Sequence, residues 1–383
     1  MSGIYLHIPF CKQACHYCDF HFSVSLEKKD AFVDALLKEI QMQKDYFASA
    51  QTGSAGVKSI YFGGGTPSLL SADEIKKILD EIYNHFDVDK SAEITLEANP
   101  DDMSDEKVKS LKACGINRLS IGVQSFANAD LKFMNRAHSS KQSLESIISA
   151  QDGGFDNITI DLMYGLQTLS DKQWIENLEI AFGLDVQHLS CYSLTVEPRT
   201  ALAKFIKTGK VPPADEQKSA EQFEILMTLA EKNKFEQYEI SNFAKDKKYS
   251  LHNSNYWKNE PYLGLGPSAH SYNGVSRQWN ISNNVRYIQS IEEGVVPFEK
   301  EELTPSQQYN EYILTSLRTI WGCDETLIQK KFGKKVLTDF LSSVKEPLFK
   351  KWVEKKQSVY TLTKEGKFFA DRIALELFAS EDE

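Results

Sequence analysis

Tyr5-Leu6-His7-Ile8-Pro9-Phe10-Cys11-Lys12-Gln13-Ala14-Cys15-His16-Tyr17-Cys18-Asp19-Phe20 is the stretch from which the rest of the chain is read. The apolar run Tyr5 to Ile8 predicts a strand, and three cysteines follow its carboxyl end with the spacing Cys11-x3-Cys15-x2-Cys18. Three thiolates from one tight loop suit three corners of a 4Fe-4S cubane and leave the fourth iron open. The other metal such a loop fits is zinc, with His16 or His21 as fourth ligand, and the chain would then be a structural scaffold. Cys114, Cys191 and Cys323 are scattered singly and read as small buried hydrophobes. This is not the even spread of a disulfide framework, and it suits a reducing compartment.

Outward from the cysteine loop, strand-like runs recur at residues 57–62, 94–97, 118–123, 158–162 and 189–194. Helical segments separate them, the first carrying Phe32, Leu36, Leu37 and Ile40, later ones Leu111, Leu131, Ile147 and Ile180. Ser71 with Glu74 three residues on predicts a capping box at the start of the second helix. Six β-α units call for a parallel sheet covered by helices, because parallel strands need crossovers. Six units suggest an open partial barrel; the pattern alone leaves a doubly wound sheet open as well. In either fold the cysteines stand at the carboxyl end of the first strand, where α/β folds place their chemistry. Phe10, Tyr17, Phe20 and Phe22 crowd that loop, as a water-poor shield or as ordinary packing.

After Pro198 the pattern changes to a Lys-rich connection (204–210), Pro212-Pro213, a helix around 223–229 and a strand at 238–242. From Pro305 on, helices at 309–320, 326–332 and 336–348 lead to a short β run at 359–363 and a final helix. The expected organisation is a barrel with its metal loop in residues 1–200, an extension in 201–300, and a helical, winged-helix-like domain in 301–383 that ends in the acidic tail Glu381-Asp382-Glu383.

The chain has 383 residues, 41% of them hydrophobic and 26% charged, with a net charge of −10. That balance argues against nucleic acid bound through its phosphates. Met1-Ser2-Gly3 runs straight into the first strand without a basic or apolar leader, and no apolar run approaches the roughly 20 residues of a membrane span. A soluble, cytoplasmic protein is expected.

The opening stretch resembles that of the radical S-adenosylmethionine enzymes related to oxygen-independent coproporphyrinogen III oxidase, and the likeness extends along nearly the whole chain. It implies a partial (β/α)6 barrel, a 4Fe-4S cluster on Cys11, Cys15 and Cys18, and S-adenosylmethionine on the open iron. The family's second-strand motif is similar to Tyr61-Phe62-Gly63-Gly64-Gly65-Thr66-Pro67-Ser68. Glycines there would let backbone amides approach the methionine end of the cofactor. By resemblance the cofactor contacts are Tyr5, Tyr17, Gly64, Gly65, Thr66, Glu97 (from Thr95-Leu96-Glu97-Ala98-Asn99-Pro100), Gln124, Arg136 and Asp161. Asp161 would accept from ribose hydroxyls, Glu97 would pair with the methionine ammonium and Arg136 with its carboxylate. The plain alternative for Glu97 and Asp161 is a solvated strand end.

Two branches of the family differ. The oxidase branch carries Cys-x3-Cys-x2-Cys-x-Cys and an N-terminal extension, whereas here Phe20 stands at the fourth cysteine position and four residues precede Tyr5. His252-Asn253-Ser254-Asn255-Tyr256-Trp257 resembles the His-Asn-x-x-Tyr-Trp motif of the haem-chaperone branch. That branch implies haem as a third cofactor, with His252 as its iron ligand beside Tyr256 and Trp257. Otherwise, His252 and Asn253 hold a loop by hydrogen bonds. The implied partners are haem and acceptor haemoproteins such as respiratory enzymes, with peripheral contact where an acceptor sits in a membrane. No residue is assigned a catalytic role. The alternative function is the oxidase itself, decarboxylating coproporphyrinogen III. The Gly-rich run Tyr262-Leu263-Gly264-Leu265-Gly266-Pro267-Ser268-Ala269-His270-Ser271 is expected to shape a turn near the site's mouth, with His270 structural.

Overall fold

Alternate residues of six strands meet two different environments. Ile4, Leu6 and Ile8 of β1 (Ser2–Ile8) and Ile60 and Phe62 of β2 (Val57–Gly64) are buried in one hydrophobic core. Ile94 and Leu96 of β3 (Val88–Ala98) and Leu119, Ile121 and Val123 of β4 (Arg118–Gln124) join it. Ile158, Ile160 and Leu162 of β5 (Ile158–Tyr164) and Leu189 and Cys191 of β6 (His188–Ser193) complete the set. The residues between them are polar or aromatic: Tyr5, Tyr61, Glu97, Ser120, Asp161, Tyr192. Period-two alternation thus splits the sheet into an apolar face against helices and a polar face turned inward.

The structure, a computed structural model, describes residues 2–49 and 56–379, so the acidic tail lies outside the described residues. β1 to β6 lie side by side in chain order, all parallel. Beyond β6 the sheet continues with the antiparallel pair β7 (Glu236–Glu239) and β8 (Asn242–Ala244). Beyond β1 it continues through β9 (Tyr262–Leu265), parallel to β1, then β10 (His270–Tyr272), β11 (Ser276–Asn280) and β12 (Phe298–Glu302). The result is the partial (β/α)6 barrel expected from the six units, extended at both edges. Ser71 and Glu74 form the reciprocal capping box read from the sequence. Among the described residues no helix is long and apolar enough to cross a membrane.

A second core gathers Tyr309, Ile313, Leu317, Ile328, Phe340, Tyr360 and Ile373. Around it the helix Pro305–Leu317, β13 (Cys323–Asp324), the helices Glu325–Ser343 and Lys345–Phe349, and the hairpin β14 (Val353–Lys356) and β15 (Val359–Leu362) follow one another. The sheet order β13-β15-β14 is that of a winged helix. Gly333, at φ +93° and ψ 172°, breaks the long helix between the two helical stretches seen in the sequence.

Three local expectations differ from the structure. The strand expected at 238–242 is two antiparallel strands, because Glu239 turns the chain: its Oε2 accepts from Ser241 N (2.9 Å) and Asn242 Nδ2 (2.7 Å). The Lys-rich connection is in large part a helix, Ala201–Lys207, opened by Thr200 as cap and anchored by buried Leu202. The Gly-rich run 262–271 contains two strands, with the expected turn at Gly266 (φ +94°) between them. Hydrophobic pattern conceals Glu39, which sits fully buried on the helix Lys29–Met42. Its carboxyl accepts from Gly266 N (2.7 Å), Asn280 Nδ2 (2.6 Å) and Tyr287 Oη (2.6 Å), tying the extension to the barrel wall.

Glu39→Ala strands those three donors in an apolar setting and should cost about 3 kcal/mol of stability, read as a lower urea midpoint. Tyr287→Phe, which removes one donor and keeps the ring, should cost about 1 to 2 kcal/mol on the same measurement.

Candidate functional site

The carboxyl ends of β1 to β6 surround a cavity of about 430 Å3. The cysteine loop leaves β1 at its rim and is closed on itself by main-chain bonds, Cys11 N to Ser23 O (3.0 Å) and Ser23 N to Pro9 O (2.8 Å). Gly65 N donates to Ile8 O (2.9 Å) and Thr66 N to Phe10 O (2.7 Å), so the end of β2 is pinned to the same loop. A Cβ on Gly65 would lie 2.6 Å from Phe10 O and 2.8 Å from Ile8 O. Gly64 has φ +105°, and a Cβ there would meet the His7 ring at 2.8 Å. The physical demand for both glycines therefore includes the packing of β2 against β1 and the cysteine loop.

The loop's far side is clamped by the turn at Asn135-Arg136. Asn135 Nδ2 donates to Ala14 O (2.7 Å), His16 N to Met134 O (3.0 Å), and His16 Nδ1 lies 2.8 Å from Phe133 O. His21 Nε2 bonds Asn284 Oδ1 at 2.6 Å. Both candidate zinc histidines thus have other partners. Among the described residues no three His, Cys, Asp or Glu side chains converge on a single-ion position. In a cubane each thiolate meets its own iron, so such convergence is not required.

Cys11, Cys15 and Cys18 are free thiols that line the cavity together. Thr66 Oγ1 lies 3.5 Å from Cys11 Sγ, and Arg136 Nη1 3.4 Å from Cys15 Sγ. Burial pushes the Cys11 thiol up and the Cys18 thiol up to about 11, so metal binding would displace protons from them. Arg136 Nη2 donates to Asn99 Oδ1 (2.6 Å) and Gly122 O (2.9 Å), while its buried Nε has no partner among the described residues. That orphaned donor suits a carboxylate ligand.

Across the cavity stand Glu97 and Asp161. Tyr61 Oη donates to Glu97 Oε1 (2.8 Å) and Ser120 Oγ lies 3.4 Å from Asp161 Oδ1. Burial raises Glu97 to about 7, with the Asp161 charge adding to the rise, and burial raises Asp161 to about 6. Two inward carboxyls poised near neutrality suit a cationic or polyhydroxy ligand. Gln124 holds the left-handed conformation (φ +64°) at the end of β4, a local strain that keeps its residue on the cavity wall.

Of the residues singled out in the sequence, the wall contains Tyr17, Gly64, Gly65, Thr66, Glu97, Gln124, Arg136, Asp161 and the three cysteines. Tyr5 and His252 stand outside it. The Tyr5 hydroxyl lies 3.3 Å from His7 Nδ1 and its ring stacks on Tyr61 at 6.1 Å, one layer below the cavity. His252, on the helix Leu251–Trp257, lies among the amino-terminal halves of β1 and β2: its Nδ1 is 2.9 Å from Ser59 Oγ and its ring stacks on Tyr61 at 4.9 Å. Burial and the nearby Arg118 depress His252 to about 3, so the imidazole is neutral, and its buried Nε2 has no partner among the described residues. Glu93 receives the first amides of that helix, Leu251 N and His252 N, both at 3.0 Å.

Asn253, Tyr256 and Trp257 of the same motif line a second cavity of about 530 Å3, shared with Glu311, Thr315 and Arg318 at the other side. Tyr192 on β6 lines both cavities. Sequence reading missed Tyr192, Asn99, Ser120 and Met163 as wall residues. Their signal was the inward register of β3 to β6, which follows from strand alternation once Asp161 is placed.

Residues 5–181 match the radical SAM superfamily. The chain is 37% identical to "Heme chaperone HemW" of Bacillus subtilis over 97% of this chain and 98% of that one. It is 34% identical to "Heme chaperone HemW" of Lactococcus lactis over 86% and 85% of the two chains. Among solved structures, the Escherichia coli coproporphyrinogen III oxidase HemN superposes with a TM-score of 0.85, covering 99% of this chain and 90% of that one at 22% identity, a likeness of fold.

Because Glu97 and Asp161 titrate higher folded than unfolded, their stabilising contribution is complete below about pH 4 and is lost as pH rises through 6 to 7. In urea titrations of the ligand-free protein between pH 5 and 8, Glu97→Gln should therefore gain stability over wild type as pH rises from 5 to 7, with the gap levelling off above 7. A gap between the two that does not change with pH would show that burial does not hold Glu97 neutral.

Proposed function

We propose that this chain, which belongs to the HemW family of haem chaperones within the radical SAM superfamily, binds haem and passes it to acceptor haemoproteins while holding a 4Fe-4S cluster and S-adenosylmethionine. The observation that carries this reading is the placement of the Asn253, Tyr256 and Trp257 motif residues along an aromatic cavity separated from the cysteine cavity by Tyr192. A volume of about 530 Å3 is in the range of sites for large cofactors.

The residues fit the implied cofactors. Three free thiols on one wall would hold the cluster, with Thr66 and Arg136 donating to two of the sulfurs. Gly64, Gly65, Thr66, Gln124, Tyr17, Glu97, Arg136 and Asp161 would hold S-adenosylmethionine, and Tyr5 would support that layer from below through Tyr61. When bound, the cluster supplies an electron and S-adenosylmethionine a reductively cleavable carbon–sulfur bond. Arg136 offsets thiolate charge at Cys15 and presents its free Nε to a carboxylate. Glu97 and Asp161 would release their protons to a bound cation, so the affinity for such a ligand would rise as pH rises through 6 to 7. Phe20, 67% exposed at the cavity mouth, offers no further sulfur ligand there and leaves an apolar lip open to a partner.

His252 is the proposed haem ligand. Its neutral ring and unpartnered Nε2 suit iron, and it packs edge-on against Tyr256, which lines the second cavity, at 5.1 Å.

The test is a haem titration of the anaerobically reconstituted protein, wild type against His252→Ala, with the iron–sulfur absorbance as the check on folding. Wild type should bind one haem, and the variant should lose at least about tenfold in affinity together with the histidine-ligated Soret band. Equal binding by the variant removes His252 as ligand and leaves the carrier reading standing. Conversion of coproporphyrinogen III in the presence of S-adenosylmethionine and reductant, without stable haem binding, overturns the carrier reading in favour of the oxidase.

A further inference from the structure

The second cavity carries two guanidinium groups that no step above uses. Arg277 comes from β11, in the extension of the sheet, and Arg318 from the end of the helix Pro305–Leu317, in the second core. They reach the same space from the two parts of the chain that enclose it. Between them the wall is aromatic: Tyr256 and Tyr262 meet edge to face at 4.4 Å, and Trp257 lies under the Arg318 guanidinium at 5.4 Å.

We propose that Arg277 and Arg318 are the anchors for the two carboxylates of haem bound in this cavity. The proposal rests on the haem-carrier reading and adds to it the recognition of the ligand's charged edge. A flat macrocycle with two carboxylates needs an aromatic slot and two cations at its edge, and arginine is the residue suited to both carboxylate pairing and stacking.

The two arginines are held differently. Arg318 Nε donates to Glu239 (3.2 Å), a buried carboxylate already committed to the turn between β7 and β8, and Nη1 donates to Asp371 (2.8 Å). Neither pair uses Nη2. Arg318 is thus fixed in direction by its stacking and its Nε bond, with one nitrogen left for a ligand. Arg277 is paired through Nη2 with Glu311, which lines the same cavity from the helix Pro305–Leu317. Glu311 therefore occupies the place of a ligand carboxylate on Arg277, and an incoming carboxylate must displace it. Glu239 cannot be displaced in the same way, because Ser241 N and Asn242 Nδ2 also bind it.

That asymmetry gives the inference a signature of opposite signs. In haem titrations of the reconstituted protein, Arg277→Gln and Arg318→Gln should each weaken binding by about tenfold. Glu311→Gln, which frees Arg277 without removing it, should tighten binding by about threefold or more. Haem dimethyl ester, with both carboxylates masked, should bind wild type about as weakly as haem binds the Arg277→Gln/Arg318→Gln double variant, and should be indifferent to Arg277→Gln. The iron–sulfur spectrum should be unchanged in every variant, which separates loss of an anchor from loss of fold. Wild-type haem binding that none of the three substitutions alters, or an ester that binds as tightly as haem, overturns the arginine anchors and leaves the carrier reading intact. Absence of haem binding by wild type overturns both.

Discussion

Two main-chain hydrogen bonds, Gly65 N to Ile8 O and Thr66 N to Phe10 O, hold the end of β2 against the start of the cysteine loop. They form because Gly65 presents no Cβ to the two carbonyls it faces. Everything the candidate site does depends on that closeness. It carries Thr66 to Cys11, and it brings the opposite wall, through Asn99 and Arg136, to Cys15. A loop of three thiols is of little use unless the strands beside it hold their own donors at sulfur distance, and here the backbone does this.

The inner face of the barrel is layered. At its open end are the thiols and the two raised carboxyls; below them Tyr61 and Tyr5 stack; at the floor His252 and Arg118 lie among buried polar groups. Tyr61 joins the layers, donating to Glu97 from one end of its ring and carrying His252 on its face. The carboxyl layer and the motif helix are thus held by one tyrosine, through its hydroxyl and its ring face.

Much of this was legible in the sequence. The six inner strands follow from period-two alternation between helical segments, and the capping box at Ser71 from two residues. The cysteine loop and the glycine run were placed on one wall by their positions after the first two strands. Other features could not be read locally. Glu39 sits on the buried face of its helix because its three partners arrive from more than two hundred residues away in the chain. The hairpin of β7 and β8 looks like one strand because its turn is made by the Glu239 side chain and not by glycine or proline. His252 reads as a haem ligand or as the holder of a loop; it stands on a helix packed under the barrel, whose first turn Glu93 captures from 159 positions away. Arg277 and Arg318 carry no motif at all; only the folded chain brings them to one cavity.

The division between the two faces of the sheet has a consequence for how such a scaffold changes over time. The apolar contacts that hold the fold lie on the outer face, between strands and helices, while Glu97, Ser120, Asp161 and Tyr192 project into the shaft. Replacement of a shaft residue alters ligand chemistry with little loss of packed area, whereas replacement of Ile60 or Leu119 strikes the core. Selection can therefore rewrite the interior almost independently of folding. The fold itself is shared with an oxidase at 22% identity.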